Sequence, residues 1–136
     1  MNGSLALVGS GEYLPAMAKF EKSLVHDGVK NGKEARYVQI PTAAGRESTD
    51  RLEYWKLLGL TQAKAIGVEA TYLPIYTRED AFNQKYVDAV ANSALMYMSG
   101  GDPHHLAAGH PWLSLTHPQV SLVSQSSLAE PLTSKL

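Results

Sequence analysis

Ala94-Leu-Met-Tyr-Met-Ser-Gly-Gly-Asp-Pro-His-His-Leu-Ala107 carries the clearest structural pattern in the chain. Leu95 to Met98 is a continuous apolar run, which marks a strand covered on both faces. Gly100 and Gly101 let the backbone turn sharply and leave their N–H groups uncovered by side chains. Asp102 is placed to cap a following helix, and Pro103 suits its first position, where a missing N–H costs nothing. The expectation is strand, glycine turn, helix, with the turn at the carboxyl end of a parallel strand. Open α/β sheets bind ligands there.

Working outward, the upstream chain repeats this alternation. Leu5–Val8 reads as a first short strand, with Gly9, Ser10, Gly11, Glu12 and Tyr13 as the turn after it. Pro15 opens a helix to about His26, with Gly28 as its stop. Ala35–Ile40 is the second strand, ending in Pro41-Thr-Ala-Ala-Gly45. Thr49 or Asp50 caps a second helix that carries Leu52, Trp55, Leu58 and Ile66 and ends at Gly67. Gly59 inside it invites a break, since glycine costs a helix about 1 kcal/mol against alanine. Val68–Ile75 is the third strand, with Pro74 at its end or on an edge. A third helix from about Glu79 to Asn92 turns Ala81, Tyr86 or Phe82, Ala89 and Val90 towards the sheet. Four strand–helix alternations imply a three-layer, doubly wound α/β fold with a mainly parallel sheet of four or five strands.

The 136 residues hold twelve basic and thirteen acidic side chains, a net charge of -1, with no basic stripe. Nucleic-acid binding, which needs clustered Lys and Arg, is therefore not expected. The longest apolar runs are strand-sized, so no membrane span is expected. Met1-Asn-Gly-Ser lacks the features of a signal peptide, which makes the cytoplasm the default compartment. Without cysteine there is no disulfide, thiolate metal site or cysteine nucleophile.

After Ala108 the pattern changes. Two His-Pro pairs, at His110 and His117, disfavour a continuous helix, and Gln119–Ser124 reads as one more strand. Residues 1–108 thus form the α/β domain, and 109–136 a divergent tail packed on it or extending it.

The motifs have bland readings as well as functional ones. Gly9-Ser-Gly-Glu-Tyr-Leu14 begins like a dinucleotide fingerprint, but Leu14 stands where the third glycine belongs, so no nicotinamide site, and no other cofactor, is expected. The turn still serves as one wall of a crevice shared with Gly100 and Gly101. His104, His105 and His110 lack a carboxylate at ligand spacing and read as capping or solvent-facing residues, with no metal expected. His104 nevertheless follows the glycine turn and belongs to the candidate crevice. Thr42 reads equally as a substrate contact or as a bond within its own turn.

At this point the chain resembles the cyanophycinase and aspartyl-dipeptidase (dipeptidase E-like) family of serine peptidases. The matching pieces are Leu7-Val-Gly-Ser-Gly-Glu-Tyr13, Val38-Gln-Ile-Pro-Thr-Ala-Ala-Gly45, Trp55-Lys-Leu-Leu-Gly59, Leu73-Pro-Ile-Tyr-Thr-Arg-Glu-Asp-Ala81 and Met98-Ser-Gly-Gly-Asp-Pro-His-His-Leu106. They cover about residues 5–108 in the family's order. The resemblance implies a class I glutamine amidotransferase-like fold, apparently truncated. It implies an oxyanion hole at Gly101 and Asp102, and a serine nucleophile on a later G-x-S-A-G elbow with a downstream histidine base.

No G-x-S-x-G follows Gly101 in this sequence. The nearest serines, Ser124, Ser126 and Ser127, lack the flanking glycines a strained elbow needs, and His110 and His117 precede them. Two origins fit, a fragment or frame-shifted version of a longer hydrolase, or a short member that kept the crevice and lost the chemistry. The expected function is a serine-peptidase-like domain inactive as it stands. Its alternatives are a binding or assembly module for small acidic or peptide ligands, and a rebuilt site on one of the tail serines. An uncovered buried strand at a sheet edge also leads to the expectation of a homo-oligomer, or of cover by the tail.

Overall fold

The computed structural model describes residues 4–8 and 11–109. Its sheet has three parallel strands, β1 (Glu34–Ile40), β2 (Glu69–Tyr72) and β3 (Ser93–Met98), in the order β2-β1-β3. Tyr37 and Val38 stand beside Leu95 and Met96 on one side, and beside Ala70 and Thr71 on the other. The helices are α1 (Ala18–Lys30), α2 (Thr49–Ile66), α3 (Gln84–Asn92) and α4 (Pro103–Gly109), with short 3-10 turns at Pro15–Met17, Thr42–Ala44 and Asp80–Phe82.

Because side chains alternate along a strand, the sheet feeds two cores. Tyr37, Leu95 and Tyr97 face α1 and α2, where Leu24, Val25, Ala63 and Ile66 close over them. Val38, Ile40, Met96 and Met98 face the other way, against Tyr86, Ala89 and Val90 of α3 and Leu106 of α4. Helices on both faces of a parallel sheet make this the expected three-layer α/β fold. The middle strand is sealed, with Tyr37, Val38 and Ile40 fully buried.

Several boundaries differ from the sequence reading, each for a local reason. Leu5–Val8 is not in the sheet: no ladder bond joins it to another described residue. It keeps a strand's alternation, with Ala6 buried between two exposed leucines. The sheet therefore has three strands rather than four or five among the described residues.

Gly28 does not stop α1, which runs two residues further and closes at Asn31. Instead it lets the helix approach β3 closely, since a Cβ there would stand 2.4 Å from the Ala94 carbonyl oxygen. Ser48, not Thr49 or Asp50, caps α2, its side chain accepting from the Arg51 N–H. Gly59 breaks nothing, because α2 passes through it and ends at Gly67 in the left-handed conformation. The third strand stops at Tyr72, short of Leu73-Pro74, as the missing proline N–H requires. The third helix is two pieces, a 3-10 turn and α3, divided at Asn83, whose side chain caps α3. Of the two aromatic candidates for the sheet, Tyr86 packs inward while Phe82 lies outside.

Candidate active site

The carboxyl ends of the three strands meet around one loop, Pro41–Gly45. Beyond β1 the chain makes a 3-10 turn with Thr42, Ala43 and Ala44 all buried. The Thr42 hydroxyl donates to the Ile75 carbonyl oxygen at 2.6 Å, tying this loop to the chain beyond β2. Of the two readings of Thr42, the bond observed is internal. On the other side the Ser99 N–H donates to Ile40 O at 3.3 Å, continuing the β1–β3 ladder past the strand end.

The glycine turn then closes on the same loop. Gly101 has φ +149°, and a Cβ there would lie 2.4 Å from the carbonyl carbon and oxygen of Ala43. Only glycine fits a backbone pressed this tightly on another. The Asp102 N–H donates to Ala43 O at 2.8 Å. Of the two amides implied for an oxyanion hole, that of Asp102 is engaged with Ala43. That of Gly101 has no acceptor among the described residues.

Asp102 caps α4 as the sequence suggests, with Oδ1 accepting from the N–H groups of His104 at 2.9 Å and His105 at 3.2 Å. The His105 N–H most of all, then that of His104 and the charges of His104 and Arg46, hold the Asp102 carboxyl below its ordinary range. A ring nitrogen of His105 lies 2.7 Å from the Tyr76 carbonyl oxygen, which fastens α4 to the loop after β2. His104 is exposed beside it. Tyr76 and Thr77 donate their N–H groups to Asp80, and these bonds outweigh burial and lower its carboxyl pKa.

The turn after Leu5–Val8 reaches the same end of the sheet through tyrosines. Gly11 has φ +87° and Tyr13 φ +58°, an unusual conformation for a bulky side chain. Tyr13 is buried and stacked on Tyr97, ring centroids 4.4 Å apart, and its N–H donates to the Tyr97 hydroxyl at 3.2 Å. Gln39 of β1 donates to the Tyr13 hydroxyl at 2.8 Å and to Trp55 O at 2.7 Å. Burial pushes the hydroxyls of Tyr13, Tyr37 and Tyr97 well above the ordinary phenol range, so all three stay neutral at physiological pH.

Gly11 and Glu12 are thereby anchored to the strand that carries Gly100 and Gly101. Glu12 Oε1 and Ser99 Oγ are enclosed without a hydrogen-bond partner among the described residues. Gly9, Ser10, His110, His117, the expected strand at 119–124, and Ser124, Ser126 and Ser127 lie outside the described residues.

The sequence reading missed the tyrosine–glutamine network and the role of Ala43. The network had a signal in Tyr37 and Gln39, alternate positions of β1, and in Tyr97 within the apolar run of β3. Ala43 had none, because its contribution is a carbonyl.

Among the described residues no group of three His, Asp or Glu side chains is arranged to hold a metal ion. Nor is any helix among them long and apolar enough to cross a membrane.

No protein-family model matches the chain, and no curated protein does. A solved structure does, described as the crystal structure of a peptidase from an acI-B1 Actinobacterium. It is 52% identical over 90% of this chain, with a TM-score of 0.82. The match takes in 53% of that peptidase, so this chain spans about half the length of the protein it resembles. In sequence and fold alike, the chain resembles about half of a peptidase and shares its α/β architecture.

Proposed function

We propose that this chain is a serine-peptidase-like hydrolase scaffold related to the cyanophycinases and aspartyl dipeptidases, and that it does not hydrolyse peptides by itself. The likeness to the actinobacterial peptidase, which runs through nearly all of this chain but only half of the other, carries the reading. In it, the Gly100-Gly101-Asp102 turn supplies the electrophilic side of the chemistry. The Gly101 N–H is the available donor for a developing oxyanion, and a donor so placed is worth about 2.7–4 kcal/mol in the transition state. The Asp102 N–H joins it only by leaving Ala43 O. Gly11, Glu12 and His104 border a crevice for a small acidic or peptide substrate, with Thr42 buried behind it as a tie between loops.

An oxyanion hole without a nucleophile forms no covalent acyl-enzyme, and these 136 residues contain no Gly-x-Ser-x-Gly elbow. The test is labelling of the purified chain with a fluorophosphonate probe, beside an assay for aspartyl-dipeptide hydrolysis. No labelling and no turnover are expected, with the actinobacterial peptidase reacting in parallel. Labelling of Ser124, Ser126 or Ser127, lost with turnover on change of that serine to Ala, would overturn the reading.

A further inference from the structure

Tyr37, Tyr97, Tyr13, Trp55 and Tyr54 form one unbroken row of rings. Successive centroids lie 5.7, 4.4, 6.4 and 5.4 Å apart, so each ring touches the next. The row runs from core to surface: Tyr37, Tyr97 and Tyr13 are buried, Trp55 is half-buried, and Tyr54 is 48% exposed. Packing accounts for the three buried tyrosines, but not for what gathers at the outer end. There the Trp55 indole N–H donates to Glu47 Oε2 at 3.1 Å. The Arg51 guanidinium lies 4.8 Å from the centre of the Trp55 ring and 5.0 Å from that of Tyr54, holding both in place. An indole N–H on a carboxylate and a phenol open to water are two arrangements that let a ring lose an electron together with its proton. Cysteine, the usual sink for oxidation, is absent.

We propose that Trp55 and Tyr54 form an outlet for one-electron oxidation, which leaves the buried tyrosines of the row reduced. Trp55 gives an electron to a diffusing one-electron oxidant and its Nε1 proton to Glu47. Tyr54 then supplies an electron to the indolyl radical, Glu47 returns the proton, and the Tyr54 phenol proton passes to water. The oxidant is reduced, Trp55 is restored, and a phenoxyl radical stands at the surface. Tyr13, the other ring against Trp55, is the poorer donor. Its centroid is 6.4 Å away against 5.4 Å for Tyr54, its hydroxyl accepts from Gln39, and burial holds its proton on the phenol. Ring spacing carries this path, so the outcome of serine labelling has no bearing on it.

The test is pulse radiolysis with the azide radical, a one-electron oxidant that prefers indole to phenol. It is run on the Trp112→Phe protein, in which Trp55 is the single indole. Indolyl absorption should decay as phenoxyl absorption grows, with first-order kinetics that do not depend on protein concentration. Tyr54→Phe, a change at an exposed site, should lose most of the phenoxyl signal and prolong the indolyl radical. Peptide mapping of the oxidised Trp112→Phe chain should find products on Tyr54 and leave Tyr13, Tyr37 and Tyr97 unmodified. A phenoxyl signal that survives Tyr54→Phe, or whose growth depends on protein concentration, would overturn the proposal. So would oxidation products on the buried tyrosines.

Discussion

Gly101 is pressed against Ala43 so closely that a Cβ on the glycine would stand 2.4 Å from the alanine carbonyl. That contact joins the loop after β3 to the loop after β1, and the Asp102 N–H to Ala43 O bond seals it. Gly101→Ala must both adopt φ +149° and push two backbones apart. The expected cost is about 3 kcal/mol, read from urea unfolding. Gly32→Ala is the control, because Gly32 has φ +82° with nothing within 4 Å of the added carbon. It should lose only the left-handed penalty, about 1 kcal/mol. Equal losses at the two sites would mean that the Ala43 contact yields freely.

Gly59 offers a test in which the usual sign reverses. Glycine to alanine within a helix ordinarily stabilises by about 1 kcal/mol. Here the new carbon would come within 2.3 Å of the Gln39 side chain, which is held by both the Tyr13 hydroxyl and Trp55 O. Gly59→Ala is therefore expected to destabilise by about 2 kcal/mol. In a Gln39→Ala background the space is open, and the same change should become stabilising. A double-mutant cycle measures the coupling directly.

Thr42 distinguishes a loop tie from a substrate contact. Its hydroxyl is spent on Ile75 O at 2.6 Å, and the residue is fully buried. Thr42→Val keeps the shape but leaves that carbonyl without its donor, at an expected cost of about 1–2 kcal/mol in thermal or urea unfolding. A Thr42→Val protein as stable as the original would assign the hydroxyl a role outside the fold.

The layered fold was legible because the apolar run of β3, the β-branched and aromatic end of β1 and the helices between them are local patterns. The carboxyl-end turn was legible because Gly100-Gly101-Asp102-Pro103 is itself a local pattern. What was not legible depends on approach between distant segments. Gly28 and Gly59 read as a stop and a break because glycine weakens helices, but each instead admits a neighbour, β3 at Gly28 and the Gln39 side chain at Gly59. Leu5–Val8 reads as a strand because its composition is a strand's, but ladder membership depends on a partner that the segment does not itself encode. For the candidate site, cap and turn were readable, whereas the engagement of the Asp102 amide by Ala43 was not.

Glu21 gives the protein a pH dependence of unusual sign. It sits on α1, 1% exposed, facing Tyr37 of β1 and Gln62 of α2, with Tyr13 and Tyr97 nearby and Oε2 unpartnered among the described residues. Burial raises its carboxyl pKa from 4.5 to about 7, while Gln62 and Tyr37 pull the other way. The folded state therefore holds this proton more tightly than the unfolded chain does. The resulting stability is complete below about pH 4.5, falls as pH rises through about 7, and is absent above it. Asp80 and Asp102, whose pKa values are lowered from 3.8, act in the opposite sense and in a more acidic range. The neutral tyrosines do not titrate in it. Urea unfolding at steps from about pH 4.5 to about pH 8 should show a decline on the order of 3 kcal/mol. Glu21→Gln should remove most of that slope and be the more stable protein at the alkaline end. A Glu21→Gln profile as steep as the original would place the titrating group elsewhere.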